Sequence, residues 1–205
     1  MKKILISLTV LMTLICNVQA QNLTQEQIKQ KINQQAASVK SLKCDFVQTK
    51  YMKMLNKKQV SNGKMFYSNP DKLRWEYTSP YKYLFIINGN TVRLSNANRN
   101  DQIDANRNKL FKEIAKIMMD SVVGKCLSDN RSFKSTVADK GSEWVATLVP
   151  QRREMKNLFK NIILHFNKTK SMVSTVELIE NNGDKTIIEL KNVHLNETIS
   201  ASTYN

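Results

Sequence analysis

From Leu42 onward the side chains alternate with a period of two, in short runs broken by turn residues almost to the end of the chain. That period puts successive side chains on opposite faces of an extended strand. In the first run Cys44, Phe46 and Gln48 share one face, and Asp45, Val47 and Thr49 the other. Runs at 59–68, 72–78, 82–88 and 91–95 follow, the last two separated by the hairpin signal Asn88-Gly89-Asn90. Later runs fall at 131–138, 143–149, 160–166, 172–180 and 185–193, with turns at Asp139-Lys140-Gly141 and Asn181-Asn182-Gly183-Asp184. Strands joined by short turns pair antiparallel, so the chain is predicted to be one α+β domain dominated by an antiparallel sheet.

Two segments depart from this period. Thr24 with Gln27 three residues later reads as a capping box, and Ile28, Ile32, Ala36 and Val39 then recur at helical spacing, giving an amphipathic helix over 24–40. A second helix is expected over 108–122, with a stripe of Leu110, Ile114, Ile117 and Met118 among lysines, and Gly124 as its stop. The stretch 96–108 is rich in Asn, Asp and Arg without periodicity and reads as a loop.

The first twenty residues have the form of an export signal. Met1-Lys2-Lys3 is the positive n-region, Ile4 to Cys16 an apolar stretch and Val18-Gln19-Ala20 the small-residue cleavage pattern. Residues 1–20 are therefore expected to be removed, leaving a single domain over 21–205. Export bears on the charge. The formal net charge of +15 invites a nucleic-acid partner, but in an exported protein it falls to +13 with the loss of Lys2 and Lys3 and describes a surface suited to an anionic envelope. No nucleic acid is expected as partner.

Export also leaves two cysteines, Cys44 and Cys126. In an oxidising compartment they either pair, closing a loop of about 80 residues, or remain separate buried thiols, and both readings stay open. The chemistry of catalysis is missing. The five glycines are too far apart for a phosphate-cradling loop, and His165 and His194 lie inside strand-like runs. With no metal-spaced cluster or nucleophile motif, neither an enzyme, a metal nor a cofactor is expected.

The segment 42–94 carries a more specific pattern: Leu42-Lys-Cys-Asp-Phe46-Val-Gln48, Gly63-Lys-Met-Phe-Tyr-Ser-Asn-Pro70, Leu73-Arg-Trp75-Glu-Tyr77, Pro80-Tyr81 and Phe85-Ile-Ile-Asn-Gly89. In order and spacing this resembles the periplasmic outer-membrane lipoprotein carrier family, LolA. The later Trp144-x-x-x-Leu148-x-Pro150, Phe159 to Phe166 and Asn192 to Asn196 follow in the family's order. The resemblance implies an unclosed, strongly curved antiparallel β-barrel, a half-barrel, with helices covering an apolar cavity. It also implies a periplasmic carrier of a Gram-negative bacterium that takes acylated lipoproteins from the inner to the outer membrane. The implied partners are an inner-membrane lipoprotein-releasing ABC transporter and an outer-membrane acceptor, with the carrier itself a monomer. The alternative is a binding protein of the same fold for another amphiphile, such as a glycolipid or a polyene precursor.

The cavity residues follow from the same comparison. Alternation groups Leu73, Trp75 and Tyr77 on one strand face and Phe85 with Ile87 on another, a pattern equally suited to plain core. The resemblance turns Leu73, Trp75 and Phe85 into cavity lining, with Phe46, Tyr77, Ile87 and Leu94 expected beside them. Ile114, Ile117 and Met118 are then assigned to the lid by their stripe. One departure stands out: where the family carries an arginine before the block's proline, bonding the lid shut, this chain has Asn69.

Overall fold

A computed structural model describes residues 23–96, 98–104, 116–117 and 119–205. The expected signal segment, Cys16, Ile114 and Met118 lie outside the described residues. Among the described residues, the strands are β1 (Ser41–Met52), β2 (Lys57–Ser68), β3 (Lys72–Ser79), β4 (Tyr83–Asn88), β5 (Thr91–Asn96), β6 (Arg99–Asp104), β7 (Phe133–Asp139), β8 (Glu143–Pro150), β9 (Phe159–Asn167), β10 (Met172–Glu180) and β11 (Lys185–Leu195). They form one antiparallel sheet in the order β6-β5-β4-β3-β2-β1-β11-β10-β9-β8-β7, which does not close. The expected α+β half-barrel is the fold observed. The loop expected at 96–108 is corrected in part: Arg99–Asp104 pairs with β5, Thr91 opposite Asp104 through Asn96 opposite Arg99. A strand at a sheet edge has no need of apolar alternation, and charged side chains there discourage pairing with other chains.

The helix α1 (Gln25–Ser38) begins with the capping box read from the sequence, Gln27 N–H donating to Thr24 Oγ1 and Thr24 N–H to Gln27 Oε1. Ile28, Ile32 and Ala36 are its buried stripe. Its polar side chains serve the other sheet edge: Val137 N–H donates to Gln25 Oε1 (2.8 Å) and Lys29 Nζ to the Ser135 carbonyl (3.2 Å). Both groups would otherwise be free on β7. A helical segment α2 (residues 116–117 and 119–123) ends at Gly124, whose φ of 84° is the left-handed stop that glycine tolerates. A 3₁₀ turn, Lys125–Ser128, follows it, and a short helix α3 (Arg153–Leu158) links β8 to β9. No helix among the described residues is long and apolar enough to cross a membrane.

Bulges bend the sheet. Register shifts occur between Lys43 and Asp45 on β1 and between Asn62 and Gly63 on β2, and the first is matched by Asn192 on β11 in a left-handed conformation. Alternation places Leu42, Cys44, Phe46, Met65, Tyr67, Leu73 and Trp75 on the concave face, all buried. On the convex face the chain's end is folded back as a second 3₁₀ turn, Ala201–Tyr204. The Tyr204 hydroxyl lies 2.7 Å from Ser68 Oγ, and Arg74 donates to the Thr203 carbonyl.

Candidate functional site

The concave face holds a cavity of about 170 Å³ lined by Gln48, Trp75, Tyr77, Ile117, Ser121, Val122, Met155, Phe159, Val176, Leu178 and Ile188. β3 and β10 lie four strand spacings apart, about 19 Å in a flat sheet, yet Trp75 and Leu178 border one space. Only the curvature brings them together. β1, β3, β10 and β11 form the floor, α2 supplies Ile117, Ser121 and Val122, and α3 with the start of β9 supplies Met155 and Phe159.

Aromatic stacking sets the floor. Phe46 lies under Trp75 with centroids 4.2 Å apart and meets Tyr77 edge-on at 5.3 Å. Gly63, opposite Phe46 on β2, leaves room for that ring: a Cβ there would come closer than 3.0 Å to both the ring and the Glu76 carbonyl oxygen. The Tyr77 hydroxyl donates to Gln48 Oε1 at 2.8 Å, and burial pushes its pKa up. Trp75 Nε1 comes near Tyr77 and Ser121 Oγ near the Cys126 thiol, but neither makes a proper hydrogen bond, and both are left as buried polar atoms lacking a partner among the described residues. An apolar cavity bordered by two unused donors suits a ligand that is mostly hydrocarbon and carries an oxygen acceptor.

The sequence-derived residues divide around this space. Trp75, Tyr77 and Ile117 line it, and Phe46 supports it from behind. Leu73, Phe85 and Ile87 are buried in the core that continues from it, and half-buried Leu94 borders a separate recess beside Tyr83. Gln48, Ser121, Val122, Met155, Phe159, Val176, Leu178 and Ile188 also line it and were not assigned to it from the sequence. Alternation with Glu177 and Glu189 sets Val176 with Leu178, and Ile188 with Leu190, on one face of each strand, but it does not say which of them border the space.

Asn69 sits in the turn after β2, and its Oδ1 accepts from Lys125 Nζ (3.0 Å) and from the Tyr67 hydroxyl (3.3 Å). Lys125 follows directly on α2 and its ammonium also lies over the Tyr67 ring, 5.8 Å from the centroid. The cation is thus carried by the covering segment and the acceptor by the sheet. Cys44 and Cys126 are separate buried thiols, not a disulfide. Burial first, then the Asp45 charge for Cys44 and the Asp120 charge for Cys126, pushes both to about 12, so neither offers the thiolate that disulfide exchange requires. Among the described residues no group of three or more His, Cys, Asp or Glu side chains is placed to hold a metal ion.

Comparison with known proteins agrees with the architecture. Residues 37–205 match the family described as "Outer membrane lipoprotein carrier protein LolA". A protein named outer-membrane lipoprotein carrier protein from Methylococcus capsulatus is 25% identical over 187 residues, covering 91% of this chain and 84% of that one. One of the same name from Nitrosospira multiformis is 24% identical over 163 residues, 79% and 75% of the two chains. In fold, the Pseudomonas aeruginosa MucA/MucB complex superposes with a TM-score of 0.52 at 11% identity, over 87% of this chain and 60% of that one. With four-fifths of its length matched, the chain belongs to the outer-membrane lipoprotein carrier family, LolA.

Proposed function

We propose that this protein is a non-enzymatic carrier that shelters the acyl chains of lipoproteins between its curved sheet and α2, and moves them across the periplasm from the inner to the outer membrane. In this reading residues 1–20 are a cleaved signal and 21–205 the carrier domain. It would receive cargo from a lipoprotein-releasing ABC transporter and deliver it to an outer-membrane acceptor. The observation that carries the reading is the cavity between Trp75 and Leu178 in a chain of this family.

The energetics support a site that must open. An exposed 16-carbon chain costs about 12 kcal/mol in water, at ~0.8 kcal/mol per CH₂. Three such chains fully buried would exceed the practical ceiling of roughly 18 to 21 kcal/mol for reversible binding, so a usable carrier needs an opposing term. The cavity supplies one, because at about 170 Å³ it is smaller than the usual ~300–1,000 Å³ ligand pocket. An acyl chain enters only if α2 moves, and the free energy of opening is subtracted from that of burial. In this reading Trp75, Tyr77 and Ile117 touch the chain, Leu73, Phe85, Ile87 and Leu94 extend the wall as the cover lifts, and Lys125 with Asn69 latches the empty form. Trp75 Nε1 would donate to an acyl carbonyl.

Leu178→Glu tests it. Leu178 is half-buried at the cavity's edge, so the variant should fold, as circular dichroism checks, while losing most binding of a fluorescent fatty acid. Unchanged binding would refute the site. Mass spectrometry of the lipid co-purified with the wild-type chain separates a lipoprotein cargo from another amphiphile.

A further inference from the structure

We propose that the β1–β2 hairpin turn, with the neighbouring β3–β4 turn, is a docking surface for an anionic phospholipid bilayer. Met54 and Leu55 at the hairpin tip are 89% and 62% exposed, and Tyr51, Val60 and Tyr81 beside them are exposed as well. Most of the large exposed apolar side chains of the described residues are therefore at one place, which a purely water-facing surface does not call for. Tyr81 joins them from the other face of the hairpin, its hydroxyl accepting from Gln59 Nε2 on β2, so apolar side chains flank the tip on both sides.

The charge around these side chains has one sign. Lys53, Lys57, Lys58 and Lys82 are exposed and have no ion pair among the described residues. Lys58 lies over the Tyr51 ring, 5.6 Å from its centroid. The nearby carboxylates are already engaged: Glu180 and Asp184 hold Lys50, and Asp184 Oδ1 accepts the Lys53 N–H at 2.9 Å. These bonds also pin the hairpin to the β10–β11 turn, so the tip is presented in a fixed direction. Two apolar side chains at the apex of a basic collar suit an anionic membrane surface, where phosphates meet the lysines and hydrocarbon meets Met54 and Leu55.

Its place in the fold adds to this. Gln48, Tyr77 and Leu178 line the cavity from the halves of β1, β3 and β10 that run into the 52–57, 79–83 and 180–185 turns. A bilayer met by the tip is therefore at the same end of the sheet as the cavity, and α3, joined to the 180–185 turn by Asn181 Nδ2 donating to the Lys156 carbonyl, lies at that end too. The surface goes beyond the carrier reading and is independent of what fills the cavity.

Flotation with phosphatidylethanolamine vesicles, with and without phosphatidylglycerol, tests the proposal. The wild-type chain should bind the anionic vesicles and release as salt is raised to about 0.5 M. At about fivefold per lysine, Lys57→Gln/Lys58→Gln should weaken binding by roughly 25-fold. Met54→Ser/Leu55→Ser should weaken it by roughly tenfold without changing its salt dependence. Lys140→Gln/Lys170→Gln removes the same charge from turns at the opposite end and should change binding less than about threefold. All six side chains are exposed, so melting temperatures should stay unchanged. Failure of the wild-type chain to float overturns the proposal, as does equal loss in the opposite-end pair or no loss in the apolar pair. Dimerisation abolished by Met54→Ser/Leu55→Ser would overturn it too, making the tip a contact between copies. None of these outcomes bears on Leu178→Glu and fatty-acid binding, so the two readings fail separately.

Discussion

Replacing Gly63 with alanine should destabilise the protein through the support of the cavity floor. The added methyl would sit closer than 3.0 Å to the Phe46 ring and to the Glu76 carbonyl oxygen. The ring is held between Gly63 and Trp75, whose centroid lies 4.2 Å away, and the carbonyl belongs to β3 beside a register shift. Neither can retreat freely. Overpacking of a rigid core site costs about 3 kcal/mol at the upper end of its usual range, while the stiffer unfolded chain returns about 0.7 kcal/mol. The net loss is about 2 kcal/mol, which for a chain of this length lowers Tm by about 4–8 °C. Circular dichroism melts of the wild type, Gly63→Ala, Phe46→Leu and the double variant measure it. The double variant should recover the part due to the ring, giving a coupling of about 1 kcal/mol, and retain the part due to the Glu76 oxygen. A Gly63→Ala melt within about 2 °C of wild type would refute the argument.

The remaining predictions concern latch, acid and thiols. Lys125→Met removes a half-buried charged donor from Asn69, so opening should become easier by about 0.5–1 kcal/mol and fatty-acid affinity should rise two- to fivefold; equal or weaker binding would exclude a latch. Asp139 accepts from Lys168 Nζ at 2.7 and 2.9 Å, from Gly141 N–H and from Trp144 Nε1, and the Lys168 bond first among these holds its pKa below the usual carboxylate range. Because the folded value is the lower one, this stabilisation is present above the unfolded value near 4 and is lost as pH falls through the folded pKa. An NMR titration should find Asp139 titrating below its unfolded value in the wild type and shifted upward in Lys168→Met; no difference would exclude the pairing. A chain beginning at residue 21 should show no thiol reactive toward a disulfide reagent at pH 8 while folded and two once unfolded. Rapid reaction of the folded chain would contradict the burial of Cys44 and Cys126.

What the sequence made legible was local. The Thr24 and Gln27 capping box, the Gly89-Asn90 turn and the alternation of Leu73, Trp75 and Tyr77 are written in neighbouring residues, and each is found in the structure. β6 escaped because Ile103 is its one apolar side chain, and a single half-buried residue makes no alternation. The cavity was half legible: Trp75 and Tyr77 were marked, whereas Val176, Leu178 and Ile188 meet them only through curvature set by bulges across the sheet. The Lys125–Asn69 bond spans 56 residues and has no local signature. Tyr204 has no neighbouring pattern to mark it, yet it is buried against the convex face.

The strand order has a consequence for how the chain comes to be folded. β1 to β6 form one meander and β7 to β11 another, each pairing sequence neighbours, and among the described strands the two are hydrogen-bonded to each other only along β1 and β11, from Leu42 opposite Leu195 to Tyr51 opposite Lys185. A polypeptide that emerges from its N-terminus first has one flank of β1 bare for most of its synthesis or translocation, an open edge of twelve residues inviting foreign partners. The last strand to appear closes it. Until it does, a folded N-terminal meander would present that edge to other chains, so the pairing of β1 with β11 is the step that protects the sheet from aggregation.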